Sequence, residues 1–400
     1  MAKPKIRFPE FTSEWVEAPF GSYIEEVKDK SKVENETTLL SSAIEGMFLN
    51  SELFGHQRGS SNIGYKKIKK GMLVLSAQNL HLGNANVNLR FDEGMVSPAY
   101  NTYLIKNCDI EYMAQWIKRD ATNRFFYNAT TVGASVCRRN VDWKMLYASP
   151  VAFPEIEEQR RIVHLFSTLD SRIASQEKII ANLESQKKGL MQKIFDQEIR
   201  FSTNDGTDFP EWEECQLGEK VEIQRGGSPR PIDAYITDDE NGLNWIKIGD
   251  VSPETNIITH TKEKIRPEGL KKTRQVFKGD LILSNSMSFG RPYILGIDGC
   301  IHDGWLLIRD TNQVFNQMYL CYLLASPNVF SQYKRLSAGS TVQNLNSALV
   351  SSVHISIPCL EEQKKIADFF SLLDKRIDKQ KRILADLKLL KKGLQQQMFV

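Results

Sequence analysis

The chain has 400 residues, 41% hydrophobic and 25% charged, a composition that argues against disorder and leaves room for two or three domains. Its net charge of +3 names no partner by itself. No apolar run approaches the ~20 residues of a membrane span, the start MAKPKIRFPEF lacks the apolar core of a signal peptide, and a cytoplasmic location is the expectation. The six cysteines stand apart without Cys-x-x-Cys or neighbouring His pairs, so reduced thiols are expected and a zinc site is not.

Taken in order, the chain divides into residues 1–153, a domain of charge +3; 154–196, neutral; 197–357, a domain of charge −4; and 358–400, of charge +4. In the first domain, alternation over Leu73–Ser76 and near Tyr103–Lys106 predicts short strands, and Met113–Lys118 predicts a helix. Lys66, Lys67, Lys69 and Lys70 form a basic stripe immediately before Gly71-Met-Leu-Val-Leu-Ser76. Gln78 and Asn79 follow that strand, and Arg138-Arg139-Asn140 follows the Gly133 turn.

The segment 154–196 reads as one long helix. One seven-residue series runs Ile162, Leu169, Gln176, Leu183, Leu190; a second, offset by four, runs Phe166, Ile173, Ile180, Lys187, Ile194. That is a heptad seam kept for about five repeats, the pattern of a coiled coil. Pro154 is expected in the first turn, where a helix tolerates proline, with Glu155, Glu157 and Glu158 placed well against the helix dipole.

Residues 197–357 repeat the first domain loosely. Trp15 and Gly21 match Trp212 and Gly218, Gly71–Ser76 matches Gly279–Ser284, and Gly133…Asn140 matches Gly339…Asn346. Strands are predicted at Asn244–Ile248, Leu281–Ser284 and His354–Ile357, and a helix at Gln317–Leu324. A second basic stripe, including Lys271, Lys272 and Arg274, again precedes the Gly-x-Leu-x-Leu-Ser strand. Gln343, Asn344 and Asn346 stand opposite Arg138, Arg139 and Asn140 of the first copy, and Asn285 lies near the strand end.

The last segment, 358–400, repeats 154–196 at a fixed offset of 204. Its seam is Ile366, Leu373, Gln380, Leu387, Leu394 with Phe370, Ile377, Leu384, Lys391, Met398. A period of about 200 is too long for a solenoid repeat. The fold expected is therefore two α/β domains separated by two long antiparallel coiled-coil helices, with pseudo-two-fold internal symmetry. The polar seam positions Gln176 and Gln380, and Lys187 and Lys391, are either tolerated interruptions or devices that fix register.

No chemistry surfaces. There is no phosphate loop, since Gly59–Lys66 lacks the lysine directly after its second glycine, and no methyltransferase-type cofactor or catalytic stretch. Arg225-Gly226-Gly227-Ser228-Pro229 reads as a tight loop, and the six histidines are isolated. The chain reads as a binder. The paired lysine stripes suit phosphates, and the Arg, Asn and Gln positions suit base edges.

With this architecture the chain closely resembles, over its whole length, the specificity subunit of type I restriction–modification systems. The resemblance rests on Gly339-Ser340-Thr341-Val342…Ile357-Pro358…Glu362-Gln363…Ile366…Leu373-Asp374…Ile377 and the first-copy counterparts Phe153-Pro154…Glu158-Gln159…Leu169-Asp170. Asn244–Asp250 and Gly279–Ser284 are also similar to the family wording, whereas the first domain departs further from it. The resemblance implies a non-catalytic subunit that binds double-stranded DNA at a two-part target with a fixed spacer. Its partners would be two modification subunits carrying S-adenosylmethionine for adenine-N6 methylation, and restriction subunits using ATP and Mg. No cofactor would belong to this chain. The competing expectations are a coiled-coil protein-interaction scaffold without DNA specificity and a nucleic-acid enzyme of unrecognised type.

Overall fold

A computed structural model describes residues 4–54, 61–135, 138–251, 255–285, 289–337 and 344–399. Five helices organise it: α1 (Ile110–Trp116), α2 (Asp120–Asn128), α3 (Ile156–Phe195), α4 (Gln317–Leu324) and α5 (Leu360–Met398). The chain folds as two compact units that divide inside both long helices. One comprises residues 1–177 and 382–400, the other residues 178–381.

The first unit holds a four-stranded antiparallel sheet in the order Ile24–Glu26, Tyr100–Ile105, Leu73–Ser76, Ala85–Val87. Leu73–Ser76 is buried on both faces, as its unbroken apolar run requires. Thr130–Ser135 and Arg138–Val141 pair as a separate two-stranded ribbon, and Val16–Pro19 pairs with Pro150–Phe153. The core packs α1 residues Tyr112 and Trp116 and strand residue Phe153 against Ile162 and Phe166 of α3 and Met398 of α5, with Phe399 beyond it.

The second unit is built on two five-stranded sheets. One runs Glu222–Arg225, Trp305–Arg309, Leu281–Ser284, Pro292–Leu295, Ile257–Ile258; the other runs Ile236–Thr237, Glu263–Ile265, Leu243–Ile246, Gly299–Ile301, Arg274–Val276. Its main core packs α4 and the first of these sheets on Met191, Ile194 and Phe195 of α3 and Ile366 and Phe370 of α5. Each domain therefore completes its core with the end of one long helix and the beginning of the other.

Within each unit the helical segments run antiparallel. Phe166 meets Phe399 at 5.7 Å between ring centres in the first, and Phe195 stacks on Phe370 at 6.4 Å in the second. The seam is buried where the heptads place it: Ile162, Phe166, Leu169, Gln176, Ile180, Leu183, Ile366, Phe370 and Ile377 are all buried. Ile173, Leu190, Leu373, Gln380, Leu384, Leu387 and Leu394 are half-buried. The lysines in the seam are not idle. Lys187 pairs with Asp374 and Lys391 with Asp170, each at 2.5 Å. The 204-residue offset converts one pair into the other. Outside the seam, Glu184–Lys381 (2.7 Å) corresponds to Lys388–Glu177 (2.8 Å), with the charges exchanged.

One helix detail is corrected. The prolines expected in the first turns lie two residues before α3 and α5, and they act through their carbonyls. Gln159 Nε2 donates to the Pro154 carbonyl at 2.8 Å and Gln363 Nε2 to the Pro358 carbonyl at 2.9 Å. The same glutamines use Oε1 to accept the backbone N–H of Asp109 (2.7 Å) and Asn316 (2.8 Å). Those two residues are the N-caps of α1 and α4, a service that Asp and Asn perform by accepting orphan helix N–H groups.

The neighbouring glutamates are more deeply set. Glu158 is 1% exposed and accepts Arg7 bidentately at 2.7 and 2.7 Å; Glu362 is fully buried and accepts Arg200 and the Trp212 indole N–H. The Glu-Gln doublet is thus a socket that ties each long helix to a domain. Its chemistry explains why both copies keep the same two residues.

Candidate nucleic-acid interface

In both domains a glycine with positive φ, Gly71 at +86° and Gly279 at +98°, turns the chain into the buried Leu-x-Leu-Ser strand. Only glycine takes that backbone without strain. The basic stripes lead into these turns, and their lysines have separate fates. Lys66 is buried, with its ammonium on Asn101 Oδ1 at 2.8 Å, and burial lowers its pKa; the expectation of a phosphate contact is withdrawn for it. Lys67 is bound to Glu36 at 2.9 Å and Asp29 at 3.3 Å, with its pKa raised by the Glu36 hydrogen bond first and the Asp29 bond next. Its charge is already matched. Lys69 and Lys70 are exposed at the strand end, and Gln78 and Asn79 are exposed after the following strand.

The ribbon carries the other candidates. Arg139 lies on the Tyr127 ring of α2, 4.1 Å from its centre, with Nε donating to Thr130 Oγ1 (2.7 Å), Nη2 to the Thr130 carbonyl (2.8 Å) and Nη1 to the Tyr127 hydroxyl (3.2 Å). The guanidinium is held rather than swinging, as a cation stacked on an aromatic face is. Asn140 is exposed, opposite Thr131. Arg138 has its backbone in the ribbon, and its side chain lies outside the described ones.

In the second domain Lys271, Lys272 and Arg274 are exposed, and Lys272 Nζ sits 5.1 Å from the centre of the Tyr235 ring. Two amides are reassigned. Asn285 is buried and donates to the Asp303 carbonyl at 2.8 Å, so it braces a loop and is closed to a base edge. Asn346 caps the short helix Ser347–Ser351 by accepting the Leu349 N–H at 2.9 Å. Asn344 is exposed; Gln343 lies outside the described residues.

The reading from sequence passed over the surroundings of the Arg225–Pro231 loop. A Cβ on Gly226 would meet the His302 carbonyl at 2.2 Å, and one on Gly227 the Lys272 carbonyl at 2.7 Å, so the loop lies hard against the second sheet. That approach gathers Arg225, Arg230 and His302 about Asp303, while Lys247, near His302, is paired with Glu263. Arg225 Nε donates to the Asp303 carbonyl (3.2 Å), Ser228 to its carboxylate (2.9 Å), and His302 is within 2.9 Å of that carboxylate. Desolvation, set partly against the attraction of Asp303, lowers the His302 pKa. The two arginines in Arg225-Gly-Gly-Ser-Pro-Arg230 were the available signal; their shared partner Asp303 lies 78 residues beyond Arg225. Exposed cations beside hydrogen-bonding side chains form a surface able to hold phosphates and meet base edges.

Among the described residues there is no group of three or more metal-ligating side chains and no helix long and apolar enough to cross a membrane. A family profile described as type I restriction modification DNA specificity domain matches residues 210–389. The putative type I restriction enzyme MjaX specificity subunit of Methanocaldococcus jannaschii is 25% identical over 345 residues, covering 83% of this chain and 73% of that protein. The MjaVIII specificity subunit of the same organism is 27% identical over 267 residues, and the match spans 61% of its length. Among solved structures, a chain from work on complex assembly of a type I R-M system aligns with a TM-score of 0.63 at 19% identity, covering 97% of this chain and 98% of that one. The S subunit from M. genitalium aligns at 0.53 and 14%, covering 100% and 99%. At these identities the structural likeness speaks for the fold: two α/β domains and two long antiparallel helices.

Proposed function

We propose that this chain belongs to the family of type I restriction–modification DNA-specificity subunits, and that it selects the DNA target of such a system without catalysing a reaction itself. Each α/β domain reads one part of a split target, and the paired helices set the non-specific spacer between the parts. The helices also dock two modification subunits, which carry S-adenosylmethionine for methyl transfer to adenine N6, and restriction subunits that use ATP and Mg join them. Double-stranded DNA and these subunits are the partners, and the cytoplasm is the compartment.

The observation that carries this reading is the contrast inside the duplication. The Glu-Gln sockets and seam pairs are repeated nearly residue for residue, whereas the domains they hold differ in sheet size and in surface residues. Like supports holding unlike surfaces suit a protein that must read two dissimilar sequences at a set separation. Adenine-methylation mapping in cells carrying this chain with a modification partner should return one bipartite motif. Equal gel-shift affinity of that complex for every duplex would instead leave the interaction scaffold as the better account. Removing four residues from both α3 and α5 should change the spacer and keep the half-sites; changed half-sites at an unchanged spacer would refute the helices as a ruler. Replacing Leu183 and Leu387 together with Asp should abolish co-purification of modification subunits, because it puts a carboxylate at a buried seam position and another at a half-buried one.

A further inference from the structure

The first unit contains a cavity of about 860 Å³ between α2 and the end of α5. Lys118, Arg119 and Arg124 line it from the domain, and Lys388, Lys391 and Lys392 from α5. Among the described residues the only carboxylates in its wall are Asp120 and Asp170, so six cations face two anions. The same place in the duplicated architecture exists in the second unit: Asp170, Ile173 and Lys391 there become Asp374, Ile377 and Lys187. That cavity, of about 550 Å³, sets Lys187, Arg291, Lys375 and Lys381 against Glu184, Asp368, Asp374 and Asp378. The duplication has kept the cavity and made its charge strongly positive on one side alone.

The cations of the first cavity are not all spent on protein partners. Lys391 and Lys388 are engaged by Asp170 and Glu177. Among the described residues Arg124 and Lys392 have no carboxylate within ion-pair distance, and both are exposed. Arg119 is buried against the rings of Trp116 and Phe399, and burial pulls its pKa down to about 10. Arg124 also stands one turn of α2 from Tyr127, the ring under Arg139. One short helix therefore joins the cavity to the ribbon.

We infer that this cavity is a phosphate-binding site for the DNA backbone, lying outside the base-reading surface and present in the first unit alone. It rests on the DNA-recognition reading and adds to it a sequence-independent anchor on one side of the molecule. Backbone contacts of this type supply affinity and register without choosing bases.

The test uses the full chain assembled with its modification partner and duplexes with and without the target. R124A/K392A, and the milder R124Q/K392Q should the first unfold, are compared with K375A in the neutral cavity. The expected result is a loss of affinity of similar factor for target and non-target DNA. The plot of log K against log salt should become shallower by about one to two, one unit for each phosphate no longer engaged. The methylated motif should be unchanged, and K375A should leave the slope as in the wild type. A wild-type slope in R124A/K392A overturns the inference, and if partner co-purification falls while the slope stays, the cavity holds an acidic protein surface instead. A wild-type complex without sequence preference would sink the DNA-recognition reading itself, an outcome separate from either.

Discussion

Trp212 donates its indole N–H to Glu362, whereas its counterpart Trp15 is half-buried, with its Nε1 buried and unpaired among the described residues, although Glu158 stands in the matching socket. Both glutamates hold an arginine, Arg200 at 2.8 Å and Arg7 at 2.7 Å. The two units thus share a mechanism of attachment and differ in how completely it is satisfied. Further from the helices the difference widens: a four-stranded sheet with an arginine-bearing ribbon in one, two five-stranded sheets with a glycine-tight arginine loop in the other. Contact with the common supports restrains sequence. Distance from them releases it.

The largest effect expected is at the sockets. Removing one partner of a buried ion pair costs about 3–5 kcal/mol, and E362A also strands the Trp212 N–H, so it should cost about 1 kcal/mol more than E158A in urea unfolding. Equal losses would show that the indole bond adds nothing. F370A and F166A each remove a buried ring shared by a domain and a helix, and each should cost about 3–4 kcal/mol. A much smaller loss for F166A would mean that the first core closes around the gap.

The seam pairs come next. K187A and K391A break equivalent ion pairs that are part-exposed, so after allowance for screening each should cost about 1 kcal/mol and less at high salt. K187A should be the more costly, because Asp374 also accepts the Tyr322 hydroxyl at 2.7 Å and Lys187 lies 5.1 Å from the centre of that ring. The smallest effect is at the flanking pairs. E184K should destabilise by about 0.5 kcal/mol, and adding K381E should restore stability, since exposed pairs contribute little. Because α3 offers Glu177 and Glu184 where α5 offers Lys381 and Lys388, failure of that rescue would remove charge as a reason for unlike helices to pair.

The duplication, the heptad seam and the short strands at Leu73–Ser76, Leu281–Ser284 and His354–Ile357 were legible because periodicity and repeated wording are local properties of a chain. Gln317–Leu324 was legible for the same reason. Lys66 and Asn285 were misread because charge and amide chemistry do not reveal burial; whether a lysine meets a phosphate or Asn101 depends on a neighbour 35 residues away.

By itself the sequence determined that there are two α/β domains, two like helices and no recognisable catalytic motif, since each of these follows from composition, spacing and repetition. Tertiary structure alone decided that Glu158 and Glu362 are sockets, that seam lysines find the aspartates of the opposite helix, and that one cavity is cationic while its twin is neutral. Those are properties of pairs and clusters assembled across 150 residues of chain or more, where the energy lies in proximity that no local pattern encodes.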